Sequence, residues 1–512
     1  MNYIKKNLYL MLLPLLAIVS CDDGFENVNS NPNEPEEVNS GVLMTGATRA
    51  SMNSLVNHSF LLSNNVAQLS AKTLRSEVDR YDFTAFTTLW LEQYNALRDF
   101  RDAELIAEEN ANFATQGASI IMQSNVFYTL TMAYGDIPYS EAVSGTTDEN
   151  FAPAYDNQED ILFGSGGLLD RLQEANSLLD QATNNGQTVN GDIIFEGSPQ
   201  KWKKLSNVLQ LRILLHLSNK QGISIDVSTE MNNLTNAELF DSNEDNAVLN
   251  YLGSFPNEYP LFPLKQGDFD AVLLSKQSFS LMNNTNDPRL GRYARPDNVT
   301  DLEVFDSPNA VYSGAENGSE AGSCDKGGSR LGSRYYDYPG HPVGDVEANG
   351  IIATYSEQEL IIAEAIQKGI ISGNAEMHYK NGVEASMNYY GVNLDVFGFN
   401  SFDEFYNQPN VVYDGSLERV WEQKWLATFF HGMEPYYDTR RMVYEANGGT
   451  KPFLTGSVDF LVAPCENQND GEMPTKFLYP GNEISLNNEN YTQAVEELGG
   501  ENTQNGVIWI ME

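Results

Sequence analysis

Three sets of side chains in this sequence could do chemistry: an excess of carboxylates, a few scattered histidines and cysteines, and two stretches where aromatic rings stand among arginines and amides. Seventy-one Asp and Glu face 30 Lys and Arg, a net charge of −41. So many carboxylates place some pair at glycosidase spacing by chance. Glycosidases need roughly 5 to 9 Å between the two carboxyls, a separation that sequence does not fix. The five histidines, His58, His216, His341, His378 and His431, are dispersed, and His216 sits on an apolar helix as a core histidine would. The chain has no G-x-S-x-G elbow, no H-E-x-x-H pair and no phosphate loop closing in Gly-Lys-Ser/Thr. No catalytic residue is therefore assigned, the chain is read as a non-enzyme, and no cofactor is expected.

One segment has the outline of a calcium loop. Asp345, Glu347 and Asn349 offer oxygens at alternate positions before Gly350, and Ile352 fits the apolar eighth position. The twelfth position is Ser356 instead of glutamate, with Glu357 one residue late. A solvated acidic turn is the simpler reading, and no metal is expected. Beyond Cys21 only Cys324 and Cys465 remain, with no C-x-x-C. They could form one disulfide outside the cytoplasm, and sequence leaves that pairing open.

The aromatic stretches offer non-covalent recognition. Residues 68–86 carry Arg75, Tyr81 and Phe83. Residues 255–338 carry Tyr259, Phe262, Tyr312, Arg330, Arg334, Tyr335, Tyr336 and Tyr338. Rings for apolar faces beside arginine and amide groups for hydroxyls are the ingredients of a ligand pocket. The run Arg334-Tyr335-Tyr336-Asp337-Tyr338-Pro339 concentrates them most.

The elements that must position these residues are mostly helices. Gln116 to Tyr134 is apolar on nearly every side, the mark of a helix buried among helices. Gly135 and Pro138 end it. Further helices are predicted over 41–56, 89–110, 355–368, 375–390, 416–431 and 434–446. Asp156-Asn-Gln-Glu159 reads as a capping box opening a helix to about Ala182, with Gly164–Gly167 as a kink. Ser198-Pro199 opens another. Trp421 and Trp425, one turn apart, are read as core, and Arg440 and Arg441 as salt-bridge partners of carboxylates. Successive helical hairpins suggest a tetratricopeptide-type scaffold. Between Leu217 and Ala353 helical periodicity fades, so short strands and ordered excursions are expected there.

The amino terminus is a targeting segment. Lys5 and Lys6 precede the apolar run Leu8–Val19, too short for a spanning helix of about 20 residues. Ile18-Val19-Ser20-Cys21 matches a bacterial lipobox, making Cys21 the acylated first residue of the mature protein. Without residues 1–20 the balance is 28 basic against 71 acidic side chains, −43. This excludes nucleic acid and disfavours polyanions, because phosphate binding needs cations. Three segments follow: signal peptide 1–20, lipidated cysteine and tether 21–40, and one domain 41–512 with a variable region at about 219–353.

Six stretches carry a resemblance. YGDIPYSEA (134–142), GDIIFEGSPQKWKKLSNVLQLRILLHLS (191–218), NDPRLGRYARP (286–296), YSEQELIIAEAIQKG (355–369), VWEQKWLATFFHGMEPYYDTRRM (420–442) and YPGNEISLNNENYTQAV (479–495) occur in that order. Together with the lipobox they resemble the SusD/RagB family of nutrient-binding outer-membrane lipoproteins. The resemblance implies a mostly α fold of four tetratricopeptide-like pairs with a loop-rich ligand region. It implies capture of an oligosaccharide and delivery to a SusC-like TonB-dependent outer-membrane transporter. The RagB branch implies peptide cargo as an alternative, and a surface-anchored glycan hydrolase is a more distant one. Asp22-Asp23 resembles the signal for display on the cell exterior in Bacteroidetes lipoproteins. In other Gram-negative bacteria an aspartate there implies inner-membrane retention.

Overall fold

The structure, a computed structural model, describes residues 39–145, 149–298, 309–319, 324–336, 348–454 and 456–512. Cys21, Tyr338, Asp345 and Glu347, named above, lie outside them. Twelve helices of nine residues or more occur among the described residues. They are α1 (Ser40–His58), α2 (Thr87–Glu109), α3 (Phe113–Tyr134), α4 (Leu168–Asn184), α5 (Pro199–Leu217), α6 (Val227–Thr235), α7 (Lys276–Asn284), α8 (Tyr355–Gln367), α9 (Ala375–Tyr390), α10 (Leu417–Ala427), α11 (Glu434–Ala446) and α12 (Asn488–Glu497). Shorter helical turns and four short strands also occur among the described residues, the strands being β1 (Ser70–Lys72), β2 (Ala247–Leu249), β3 (Val272–Leu274) and β4 (Gly350–Ala353). Ser40–Glu512 packs as one unit. No described helix is long and apolar enough to cross a membrane.

α3 is the axis. Every residue from Ala114 to Tyr134 is buried, which is why its sequence lacks a polar face. Asn112 caps it, its Oδ1 accepting from the Thr115 amide at 3.0 Å. Gly135 ends it at φ +89°, where an added Cβ would stand 2.7 Å from Ile508 Cγ2. α2 packs on one side of α3 and α4 on the other, and α5, α8, α9, α10 and α11 extend the array in hairpins. Ser198 caps α5 by accepting from the Lys201 amide, with Pro199 at the first helical position.

The capping-box reading of Asp156 needs correction. Asp156 reaches back across the loop instead. Its carboxylate accepts from the Tyr139 and Ser140 amides at 3.0 and 2.9 Å and from the Ser140 hydroxyl at 2.7 Å. The next helix starts at Gln158, whose amide is taken by Asp136 Oδ1 at 2.7 Å. That helix stops at Phe163, and Gly164–Gly167 separates it from α4. A Cβ on Gly164 would lie 2.7 Å from Asp160 O, so the chain breaks there instead of kinking.

The resemblance stretches meet in the core as a charged skeleton. Arg441 on α11 binds Glu364 of α8 at 2.7 Å and Asp438 at 2.7 Å. Lys424 of α10 binds the same two carboxylates at 3.1 and 3.0 Å. Arg289 pairs with Asp287 at 2.6 Å and donates to Gln423 at 2.6 Å. Arg212 pairs with Glu357 at 2.6 Å, and His216 meets Glu434 at 3.0 Å. Tyr479 donates to Asp136 O at 2.8 Å, tying the carboxy-terminal stretch to the turn after α3. Burying these ions is tolerable only because each finds a partner. Arg440 differs from the salt bridge expected of it, donating to the carbonyls of Met132 and Thr475. Trp425 is core as expected and donates to Ala67 O at 2.8 Å.

Candidate functional site

The two aromatic stretches come together by backbone pairing. β1 and β3 run antiparallel, with Ser70 opposite Leu274 and Lys72 opposite Val272. Behind them the segment 329–336 is threaded by main-chain bonds. The Leu274 amide donates to Ser329 O at 2.9 Å, and the Gly332 amide to Tyr293 O at 2.9 Å. Gly332 is required there, since a Cβ would stand 2.4 Å from Arg292 O.

The predicted ring residues divide sharply by depth. Tyr81, at 0% exposure, donates to Val66 O at 3.0 Å and accepts from Gln68 at 3.1 Å. Phe83 packs edge-on against Phe477 at 5.5 Å. Tyr335 is 2% exposed and lies on Phe430 at 4.4 Å. Tyr336 stacks on Phe269 at 4.4 Å and donates to Leu264 O at 2.8 Å. Tyr259 is buried against Tyr251 at 5.3 Å. These five rings pack inward and present no face to solvent, with Tyr259 and Tyr335 forming the wall nearest Arg334. Phe262 and Tyr312 are half-buried, while Arg75 and Arg330 are exposed. Arg330 pairs with Asp270 at 3.2 Å.

Arg334, itself buried at 8% exposure, is the polar centre. Its guanidinium lies 5.1 Å over the Tyr389 ring and 5.5 Å over Tyr390, and Nη2 donates to Asn349 Oδ1 at 3.3 Å. The Tyr389 hydroxyl donates to the same oxygen at 3.2 Å. Asn349 Nδ2 donates to Asn250 Oδ1 at 2.5 Å. Asn250 follows β2 and Asn349 precedes β4, so the pairing of Leu249 with Gly350 brings both amides to one sheet end. Asn250 is exposed, and Asn349, Tyr251 and Tyr389 are half-buried.

The loop leaving Asn250 carries Leu252 and Phe255, 71% and 84% exposed. Arg49 of α1 holds this loop by donating to Asn257 Oδ1 at 2.6 Å. Beneath the cluster the hydroxyls of Tyr259 and Tyr335 are buried and find no hydrogen-bond partner among the described residues. Burial pushes both phenols well above their usual range, so they stay neutral. The chemistry on offer is stacking on rings and hydrogen bonding through amides and one guanidinium. Sequence reasoning missed Phe255, Tyr389, Tyr251 and Asn250. Tyr389 lay inside a predicted helix, where a ring reads as core.

The calcium-loop outline does not hold in its described half. Asn349 Oδ1 is taken by Arg334 and Tyr389, and residues 350–353 are strand β4. The Ser356 hydroxyl donates to Gly382 O, and Glu357 is bound to Arg212. A disulfide joins Cys324 to Cys465, Cα–Cα 6.3 Å.

A family model described as starch-binding, associating with the outer membrane, matches residues 32–480. The chain belongs to the SusD-like family. Solved structures agree on its fold. An outer-membrane nutrient-binding candidate from Bacteroides vulgatus ATCC 8482 is 27% identical, with TM-score 0.74 over 93% of this chain and 100% of its own. A SusD homologue from Bacteroides fragilis NCTC 9343 is 25% identical, with TM-score 0.74 and the same coverage. A chitin-binding protein is 24% identical, with TM-score 0.73 over 92% of this chain and 99% of its own. Among curated proteins nothing matches. SusD-like proteins are outer-membrane-associated glycan binders, and this chain has the mostly helical, strand-poor architecture of that family.

Proposed function

We propose that this SusD-like chain is a non-catalytic surface protein that captures neutral oligosaccharides at the Arg334 cluster. It is anchored at Cys21 on the outside of the outer membrane and passes its ligand to a SusC-like TonB-dependent transporter. The observation that carries the reading is the cluster itself: a guanidinium, two asparagines and Tyr389 at one sheet end, with the exposed Phe255 ring on the loop that leaves Asn250. A sugar lays its C–H face on a ring and offers hydroxyls to amides, which the exposed Phe255 and Asn250 supply, with the buried Arg334 orienting Asn349 behind them. The chitin-binding structural neighbour fits the same ligand class.

Glycan is favoured over peptide by the state of the β1–β3 edges. A peptide adding as a strand needs free edge groups. The outward Lys72 amide is taken by Asp79 at 2.7 Å and the Ser70 carbonyl by Asn317 at 2.8 Å. On the other edge the Leu274 amide and carbonyl are taken by Ser329 and Ala315. Affinity electrophoresis against neutral and acidic polysaccharides and a peptide digest tests the reading. One neutral glycan should retard the wild type without releasing product, and Tyr389→Ala and Phe255→Ala should abolish the retardation. Retention of peptides alone, or release of shorter sugars, would overturn it.

A further inference from the structure

We propose a second sugar site, for one neutral pyranose unit, between the carboxy-terminal end of α11 and the last residues of the chain. It rests on the glycan-binding reading and extends it to a part of the surface that shares no residue with the Arg334 cluster. A cavity of about 220 Å³ lies there. That is smaller than the roughly 300–1,000 Å³ of pockets for drug-sized ligands, so it suits a single ring and not a chain.

The walls have the mixed character a sugar needs. Tyr444, Pro452 and Met511 are buried and supply apolar surface, and Val507 stands at the rim, 49% exposed. The Tyr444 ring is 7% exposed, and its hydroxyl makes no hydrogen bond among the described residues. Burial raises its pKa, so the hydroxyl keeps its proton and can donate at neutral pH. Asn505 is exposed and held by a two-way amide pairing with Asn469, at 3.0 and 2.7 Å. That pairing fixes the plane of the amide and leaves its second N–H unused. A ligand hydroxyl between Tyr444 and Asn505 would satisfy both.

The charge balance selects a neutral ligand. Lys451 at the mouth is paired with Glu472 at 2.8 Å, so the two charges offset each other there. The remaining carboxylate, Asp470, is exposed and suits hydroxyls as an acceptor. Two sites on one surface protein would hold a polymer by two of its units. The second contact becomes intramolecular, so avidity exceeds the strength of either site.

Ligand-observed saturation-transfer NMR on the purified protein decides the matter, with glucose, xylose and N-acetylglucosamine as probes. At least one sugar should give a signal in the wild type. Val507→Trp, where a rim residue fills the cavity without entering the core, should remove the part of the signal that comes from this site, and in a Tyr389→Ala background it should remove the signal altogether. Tyr444→Phe should weaken affinity by about two- to tenfold, the loss of one hydrogen bond. Tyr389→Ala, which disables the Arg334 cluster, should leave the part of the signal that Val507→Trp removes. No signal from any sugar, or a signal indifferent to Val507→Trp and Tyr444→Phe, overturns the second site. A signal lost in Tyr389→Ala overturns it too, by moving the sugar to the Arg334 cluster. If polysaccharide retardation persists in the wild type while every monosaccharide is silent, the second site fails and the glycan-binding reading stands.

Discussion

Replacing Tyr335 with phenylalanine should stabilise the protein and leave glycan binding unchanged. The ring is 2% exposed, stacked on Phe430 at 4.4 Å and edge-on to Phe429 at 5.7 Å. Its hydroxyl is buried with no partner among the described residues. An orphaned buried polar group costs about 1–3 kcal/mol, and phenylalanine removes the group while keeping every ring contact. The expected gain is about 1 kcal/mol, at the low end because local relaxation recovers part of the penalty. Tyr335→Ala gives the opposite sign: losing a buried ring costs about 3–5 kcal/mol. Urea unfolding reads both, as a shift of midpoint at constant slope, and affinity electrophoresis reads binding in the same preparations. A midpoint lowered by the phenylalanine change would show that the hydroxyl has a partner. Weakened glycan binding at an unchanged midpoint would show that Tyr335 touches ligand, and either result refutes its assignment as wall.

Gly135→Ala should cost about 1–3 kcal/mol, read by thermal unfolding, because φ is +89° and the new methyl meets Ile508 at 2.7 Å. Acid should unfold the protein through its charged skeleton. Burial alone would raise the Glu364 carboxyl, but Arg441 and Lys424 outweigh it and hold it at about 2, and Asp438 is likewise held low against its burial by Lys424 and Arg441. Unfolded carboxyls take protons first, so this stabilisation is complete above about pH 4.5 and is lost as pH falls towards 2, about 3 kcal/mol for Glu364. Urea midpoints measured from pH 6 to 2.5 should fall steeply in the wild type and less steeply in Glu364→Gln. Reducing Cys324–Cys465, which closes a 141-residue separation, should lower stability by about 2–4 kcal/mol. Unfolding with and without reductant, with Cys324→Ser as control, measures it.

The helices were legible because their signals are local. α3 shows its burial in a run of apolar residues, and Ser198-Pro199 spells its own cap. Asp156 was misread for the same reason. Asp-Asn-Gln-Glu satisfies the local capping pattern, yet two amides and a hydroxyl across the loop compete for the carboxylate and win. The rings failed differently. A tyrosine in a loop excursion has no periodicity to say which side faces the core, so Tyr335 and Tyr81, both buried, looked no different from Phe255, which is 84% exposed.

The same division governs what the family likeness can say about ligand. The stretches that carry it supply Asp136, Arg212, His216, Asp287, Arg289, Glu364, Gln423, Lys424, Asp438 and Arg441, which interlock in the core. A buried ion stripped of its partner is costly, typically about 3–5 kcal/mol, so such residues must appear together for the fold to form. Arg334, Asn250, Asn349, Tyr389 and Phe255 all lie outside those stretches. Apart from the buried Arg334 they are exposed or half-buried and constrain stability far less, and one ring or amide can change without disturbing the skeleton. Membership therefore follows from residues that cannot reach a ligand, while glycan specificity must be read from residues that the likeness leaves unspecified. Exchanging residues 252–256, which stop short of the Arg49-bound Asn257 and the buried Tyr259 ring, for those of another SusD-like protein should thus change which glycan is retained while leaving the urea midpoint nearly in place. A collapse of the midpoint would show that this loop belongs to the skeleton after all.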